Sequence, residues 1–213
     1  MSSSSTSTSS IFAKAIAEHL EVIQRALNQQ PVLEAIARAM STVLRSGGKI
    51  LWCGNGGSAA DSQHLAAEIV GRFRRDRRGL PSIALTTDTS VLTAVANDYG
   101  YEAVFSRQVE ALGNAGDLLV GISTSGNSQN VQQALMAARA QGLVTVAFTG
   151  TGGGKLGTLA DYLFAVESRD TARIQEMHIL AGHMLCDWIE LDSIEALAQN
   201  HNPATTNRAG GSE

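Results

Sequence analysis

Five short apolar runs, KILWCG, SIALTT, LLVGIST, VTVAFTG and YLFAVE, each lead into glycine, serine, threonine or aspartate and then into sequence with helical spacing. A run that is apolar throughout, rather than at alternate positions, suits a strand covered on both faces. Strands linked through helices pair in parallel with right-handed crossovers. The expectation is an α/β fold, a three-layer, five-stranded parallel sheet flanked by helices. Ahead of the first run, from Ile11 to about Arg45, apolar residues recur every three or four positions, and Pro31 suits the start of a second helix after Gln30. This predicts an N-terminal helical hairpin. A helix from about Thr171 to Leu197 closes the chain.

In open sheets of this kind, ligands bind beyond the carboxyl ends of the strands, where loops and helix N-termini gather. Two segments fall there, Gly54 to Glu68 (GNGGSAADSQHLAAE) and Ser123 to Ser128 (STSGNS). In the second, the hydroxyls of Ser123, Thr124, Ser125 and Ser128 stand at a helix N-terminus, where a phosphate fits without a lysine. The same residues also describe an ordinary serine-rich helix cap. The first segment matches the G-x-G-x-x-A dinucleotide pattern, a weak signal alone. A nicotinamide site places an acid ~20 residues further on to hold a ribose. Here the first candidate, Asp88, comes later, after a basic insert.

His64 and Glu68 are four residues apart, ~40° around a helix, so their side chains can share one target. Asp61 lies a turn nearer the loop, where it favours the helix dipole. Far along the chain, RIQEMHILAGH carries Gln175, Glu176, His178 and His183. Gln175 and His183 are eight apart, ~80° modulo full turns, so their side chains can meet a common point, while His178 points elsewhere. Two imidazoles, a carboxylate and an amide are a donor set suited to zinc or a similar divalent ion. Taken alone, each histidine fits a hydrogen-bonded core or interface residue better. The chemistry these parts suggest is aldose–ketose isomerisation through an enediol, with Glu68 as base and His183 as the complementary acid or base. A desolvated, apolar-walled pocket would raise such a carboxylate's pKa, and a nearby metal would lower it instead.

Length and charge narrow the partners. A chain of 213 residues holds one domain, read as 11–198, with a Ser/Thr-rich tail at 1–10 and a polar tail at 199–213. The formal charge of -4 argues against general nucleic-acid binding, which needs clustered lysine and arginine. The basic run RFRRDRR, Arg72 to Arg78, ranks first as solvated surface, then as subunit contact, then as an attractor of phosphorylated substrate. Cys53 and Cys186 sit in apolar stretches and read as reduced core residues. No secretory signal or membrane span is evident, so a cytoplasmic location is expected.

Taken together, GNGGSAADSQHLAAE, ALTTD, ANDYGYE, STSGNS and RIQEMH resemble the signatures of the phosphoheptose isomerases of the SIS family, from about Ile11 to Glu190. The resemblance implies a flavodoxin-like sheet, a homotetramer with active sites between subunits, and conversion of sedoheptulose 7-phosphate to D-glycero-D-manno-heptose 7-phosphate, the first step toward the ADP-heptose of cell-envelope polysaccharide. It implies substrate contacts from Asn55, Gly56, Gly57, Asn97 and Asp98, with Ser58 and Arg72 as further ones, and a phosphate loop of Ser123, Thr124, Ser125 and Ser128. It also implies one Zn2+ per subunit on His64, Glu68, Gln175 and His183, with Glu68 and His183 doubling as the catalytic pair. A noncatalytic relative that binds the replication initiator DnaA is similar over CGNG and ARIQEMH. That regulator lacks the acid matching Glu68 and the imidazole matching His183, and has arginine where Ser125 stands, so the resemblance favours the enzyme.

Overall fold

The computed structural model describes residues 8–200. Most of the two expected tails, 1–7 and 201–213, lies outside the described residues. Helix α1 (Thr8–Ala26) passes through a 3-10 turn at Leu27–Gln29 into α2 (Gln30–Arg45), with Pro31 in its first turn. The chain continues through β1 (Ile50–Gly54), α3 (Gly57–Val70), β2 (Ser82–Ala84), α4 (Thr89–Tyr99), α5 (Ser106–Leu112), β3 (Leu118–Ser123) and α6 (Gln129–Ala140). It ends with β4 (Val144–Thr149), β5 (Tyr162–Ala165) and α7 (Thr171–Asn200). The first described helix starts three residues before Ile11 and the last ends two beyond residue 198.

The five strands form one parallel sheet in the order β2-β1-β3-β4-β5. Every residue of β1 and β3 is buried, as a sheet with both faces covered requires. Alternate side chains feed two cores. Ile50 and Trp52 join Leu65, Ile69, Phe148 and Phe164 on the side of α2, α3 and α7. Leu51 and Cys53 join Leu119, Val131 and Leu135 on the other side. Trp52 donates its indole N–H to Ser82 Oγ at 2.9 Å, so its one polar atom is satisfied inside the core. Cys53 and Cys186 are buried and free; burial pushes both thiols up, Cys186 to about 12. Among the described residues no helix is long and apolar enough to cross a membrane.

Helix α7 packs beside α3. A β-carbon at Gly182 would stand 2.4 Å from Leu65 Cδ2, so any larger residue there would have to displace the Leu65 side chain. This packing matters because the next residue on α7 is His183. One turn earlier, His178 faces inward, fully buried near Phe148 and Phe164. Its Nε2–H donates to the Thr149 carbonyl at 3.0 Å, while Nδ1 has no partner.

A proton on Nδ1 would be both desolvated and unpaired, and burial lowers the pKa of His178 from 6.5 to about 4. The unfolded chain therefore takes up the proton first as pH falls. The stability from neutral His178 is complete above pH 6.5 and is lost as pH drops toward 4. Between pH 7.5 and 5 the loss is roughly 2 kcal/mol. Denaturant unfolding of the wild type at fixed concentration should show that fall, and His178→Gln should remove most of it. Equal pH slopes in the two proteins would refute the assignment.

Candidate active site

The strand order places β1 beside β3 at the point where the chain reverses its direction of winding, which is where open α/β sheets hold ligands. The loop after β1 is tied to the first turn of α6, which follows β3, by an amide pair. Asn55 Nδ2 donates to Asn130 Oδ1 at 2.8 Å, and Asn130 Nδ2 donates back to Asn55 Oδ1 at 2.9 Å. Tyr101 donates its hydroxyl to the same Asn55 oxygen at 3.1 Å. Asn55 thus keeps one amide hydrogen for a ligand. Neither Asn130 nor Tyr101 was singled out from the sequence, because their role depends on which strands are neighbours.

Ser123 Oγ is the hub of the second loop, 2.9 Å from Ser128 Oγ and 3.4 Å from Ser125 Oγ. Ser128 caps α6 without a side-chain bond to the helix, so its hydroxyl is not committed to the first turn. Asn127 N–H donates to Ser125 Oγ at 3.1 Å, and the Thr124 carbonyl accepts from Gly150 N–H at 2.9 Å. Hydroxyls converging at the positive end of a twelve-residue helix make a cup suited to a phosphate.

The other expected contacts are more scattered. Gly56, with φ 57°, immediately precedes α3, and Gly57 opens the helix. Ser58 is buried beneath Gly54 rather than open to the cleft. Asn97 and Asp98 lie in the last turn of α4, not in a turn between helices; both are exposed, with Asn97 Nδ2 donating to Asp98 Oδ1 at 2.8 Å. Asp88 caps α4 by accepting from Val91 N–H, which gives it a local function unrelated to a ribose. Asp61 does more than face the helix dipole: its Oδ2 is buried without a partner, and burial raises its pKa.

On the α3–α7 seam, Glu68, His64 and His183 form a chain of contacts. His64 Nε2 lies 3.2 Å from Glu68 Oε1 and 3.5 Å from His183 Nε2. A single proton on His64 Nε2 cannot serve both neighbours. With metal bonds of ~2.0–2.1 Å, two ligands of a tetrahedral ion stand about 3.3–3.4 Å apart, so both spacings suit donors around one cation. Among the described residues, no three His, Cys, Asp or Glu side chains form a finished metal cage. Gln175 is not brought to the trio within this chain. It lies against Gly57, where a β-carbon would meet Gln175 Nε2 at 2.4 Å. Eight residues separate it from His183 by ~12 Å along the helix, a rise that the angular argument leaves out. The pKa of His183 is lowered, first by burial and then by the charges of His64 and Arg74, against the opposing pull of Glu68. Near neutral pH its imidazole is therefore a base or a ligand rather than a cation.

The basic run is not solvated surface throughout. Arg72 is exposed, but the side chain of Arg77 is only 2% exposed. Its guanidinium donates to the carbonyls of Glu68 and Ile69, both at 2.9 Å, and of Gly71 at 3.1 Å. It thereby caps the C-terminal end of α3.

A family model described as SIS domain matches residues 11–150. The phosphoheptose isomerase of Roseiflexus sp. (strain RS-1) is 57% identical over 172 residues, covering 80% of this chain and 87% of that protein. That of Aliarcobacter butzleri is 56% identical over 183 residues, covering 85% and 96%. Among solved structures, phosphoheptose isomerase GmhA from Neisseria gonorrhoeae superposes with a TM-score of 0.83 at 48% identity, covering 87% of this chain and all of that one. A phosphoheptose isomerase from Francisella tularensis gives 0.85 at 36% identity, with the same coverage.

Proposed function

The chain belongs to the SIS-domain phosphoheptose isomerases, and on that premise we propose that Glu68 and His183 are the proton-transfer pair with which it converts sedoheptulose 7-phosphate to D-glycero-D-manno-heptose 7-phosphate. The observation that carries the pairing is the contact chain Glu68–His64–His183, drawn from two helices far apart in sequence. The Glu68 carboxylate takes the proton from C1 of the open-chain ketose, giving an enediol. His183 moves the hydroxyl proton between O1 and O2, and the carbon-bound proton is returned at C2, leaving the aldehyde at C1. The serine cup Ser123, Thr124, Ser125 and Ser128 holds the phosphate. Asn55, Gly56, Gly57, Asn97 and Asp98 address the sugar hydroxyls, with Arg72 as an outer contact, while Ser58, buried beneath Gly54, supports the loop from below. The regulator reading, a tetramer that binds DnaA without turnover, is disfavoured by the presence of Glu68, Ser125 and His183 and by the isomerase names of these relatives.

Three of the same residues, His64, Glu68 and His183, suit one Zn2+ per subunit, and Gln175, which lies against Gly57 in this chain, would reach that ion only from a neighbouring subunit. A bound divalent ion would polarise the carbonyl and hydroxyl oxygens of the substrate. The enzyme acts in the cytoplasm as a homotetramer, supplying the first step toward ADP-heptose. Two features support assembly: His64 is 47% exposed on the outer side of the α3–α7 seam, and α1 and α7 carry exposed Phe12, Ile16, Leu20, Trp188 and Leu191.

The deciding experiment is turnover of sedoheptulose 7-phosphate by the purified wild type with divalent metal supplied. Absence of turnover together with capture of DnaA would replace the isomerase by the regulator. For the metal, elemental analysis after gentle purification should find a divalent ion stoichiometric with subunits. His64→Ala should bind it on the order of 100-fold more weakly. An equal metal content in the variant would remove His64 from the site.

A further inference from the structure

We propose that Glu190 is a positioning residue that holds His183 and Glu68 in mutual register, through Phe73 on one side and Arg77 on the other. The inference rests on the reading of Glu68 and His183 as the reacting pair. Glu190 lies seven residues beyond His183 on α7, which returns it to the same face two turns on, ~10 Å away. It is fully buried. Its Oε2 accepts from Phe73 N–H at 2.8 Å, and its Oε1 accepts from Arg74 N–H at 2.9 Å and Arg75 N–H at 2.6 Å. Three consecutive backbone donors on one carboxylate fix the path of the loop that follows α3.

The fixed loop has two outputs. Its Phe73 ring stacks on the His183 imidazole, with centroids 5.3 Å apart and planes at 27°. Its Arg77 pairs with Glu190 Oε2 at 3.4 Å and grips the Glu68 carbonyl at 2.9 Å. One carboxylate is thus the common reference for the imidazole on α7 and the end of α3 that carries the acid. Burial alone would raise its pKa; the N–H donors of residues 73–75 and the Arg77 cation outweigh that and hold it below the ordinary range. A buried charge is costly to desolvate, and here the loop supplies it with three N–H donors and the Arg77 cation.

The test uses the intact protein with two variants. In Phe73→Leu the ring is lost and the apolar volume is nearly kept. It should unfold at an unchanged midpoint and keep KM within about twofold, while kcat falls roughly tenfold or more. Phe73→Tyr should recover most of that loss. With ring-labelled histidine, the His183 proton resonances should move downfield in Phe73→Leu as the stacked ring's shielding is lost. Glu190→Gln should move them in the same direction despite its distance from the imidazole. A folded Glu190→Gln with His183 resonances and kcat unchanged overturns the proposal. If Glu190→Gln does not fold, Phe73→Leu with unchanged resonances and kcat overturns it equally. Wild-type inactivity on the heptose phosphate would sink the isomerase reading instead, and the resonance shifts still decide the positioning role.

Discussion

Glu68→Gln should lower kcat for sedoheptulose 7-phosphate by about a thousandfold and leave the fold intact, because the amide keeps the shape and cannot accept a proton. The expected loss is large since, among the described residues, no other carboxylate is within hydrogen-bond distance of His64 or His183: Asp61 is a turn nearer the loop, with its own oxygen buried and unpartnered. Stability should hardly change. Glu68 is on a helix, where glutamine has nearly the same propensity, and its side chain is 24% exposed, with His64 Nε2 3.2 Å away, a contact that glutamine can also make. Steady-state kinetics alongside thermal unfolding checks both parts. A variant that keeps a tenth of the wild-type rate would exclude Glu68 as the base.

The second large effect is expected at Gly126→Ala. Gly126 has φ +66°, and a β-carbon there would stand 2.3 Å from the Gly153 carbonyl oxygen and 2.7 Å from its carbon. These are backbone atoms, so relief requires the 150–154 loop or the serine loop to move. Strain of this kind should destabilise the protein by roughly 2–4 kcal/mol. Because Ser125 and Ser128 flank the site of displacement, KM for the heptose phosphate should rise tenfold or more. Denaturant midpoints and KM measured on the same preparation test the pair of effects. An alanine variant with both unchanged would show that the two loops are not mutually wedged.

The sheet was legible because its strands are buried on both faces, which leaves uninterrupted apolar runs such as LLVGIST and VTVAFTG. His64 and Glu68 were legible through helix periodicity, and the serine loop through its hydroxyls at a strand end. What the sequence hides is adjacency. Asn130 reads as an ordinary helix residue until β1 and β3 are neighbours and its amide faces Asn55. Arg77 reads as one of several surface charges, since its buried counterion, Glu190, belongs to the last helix. Helical angle alone joined Gln175 to His183, whereas axial rise keeps them at opposite ends of the α3–α7 contact. Local periodicity reports which way a side chain faces; it carries no information on what another element brings to meet it.

Because α7 carries Gln175, His178, His183 and Glu190 on one continuous rod, the spacing of these groups is fixed by helix pitch. A single inserted residue between positions 183 and 190 would turn everything beyond it by ~100° and swing the carboxylate out of its loop. An insertion of seven would restore its bearing to within ~20° and displace it two turns along the axis. Over this stretch the helix should tolerate exchange of side chains far better than any change of length.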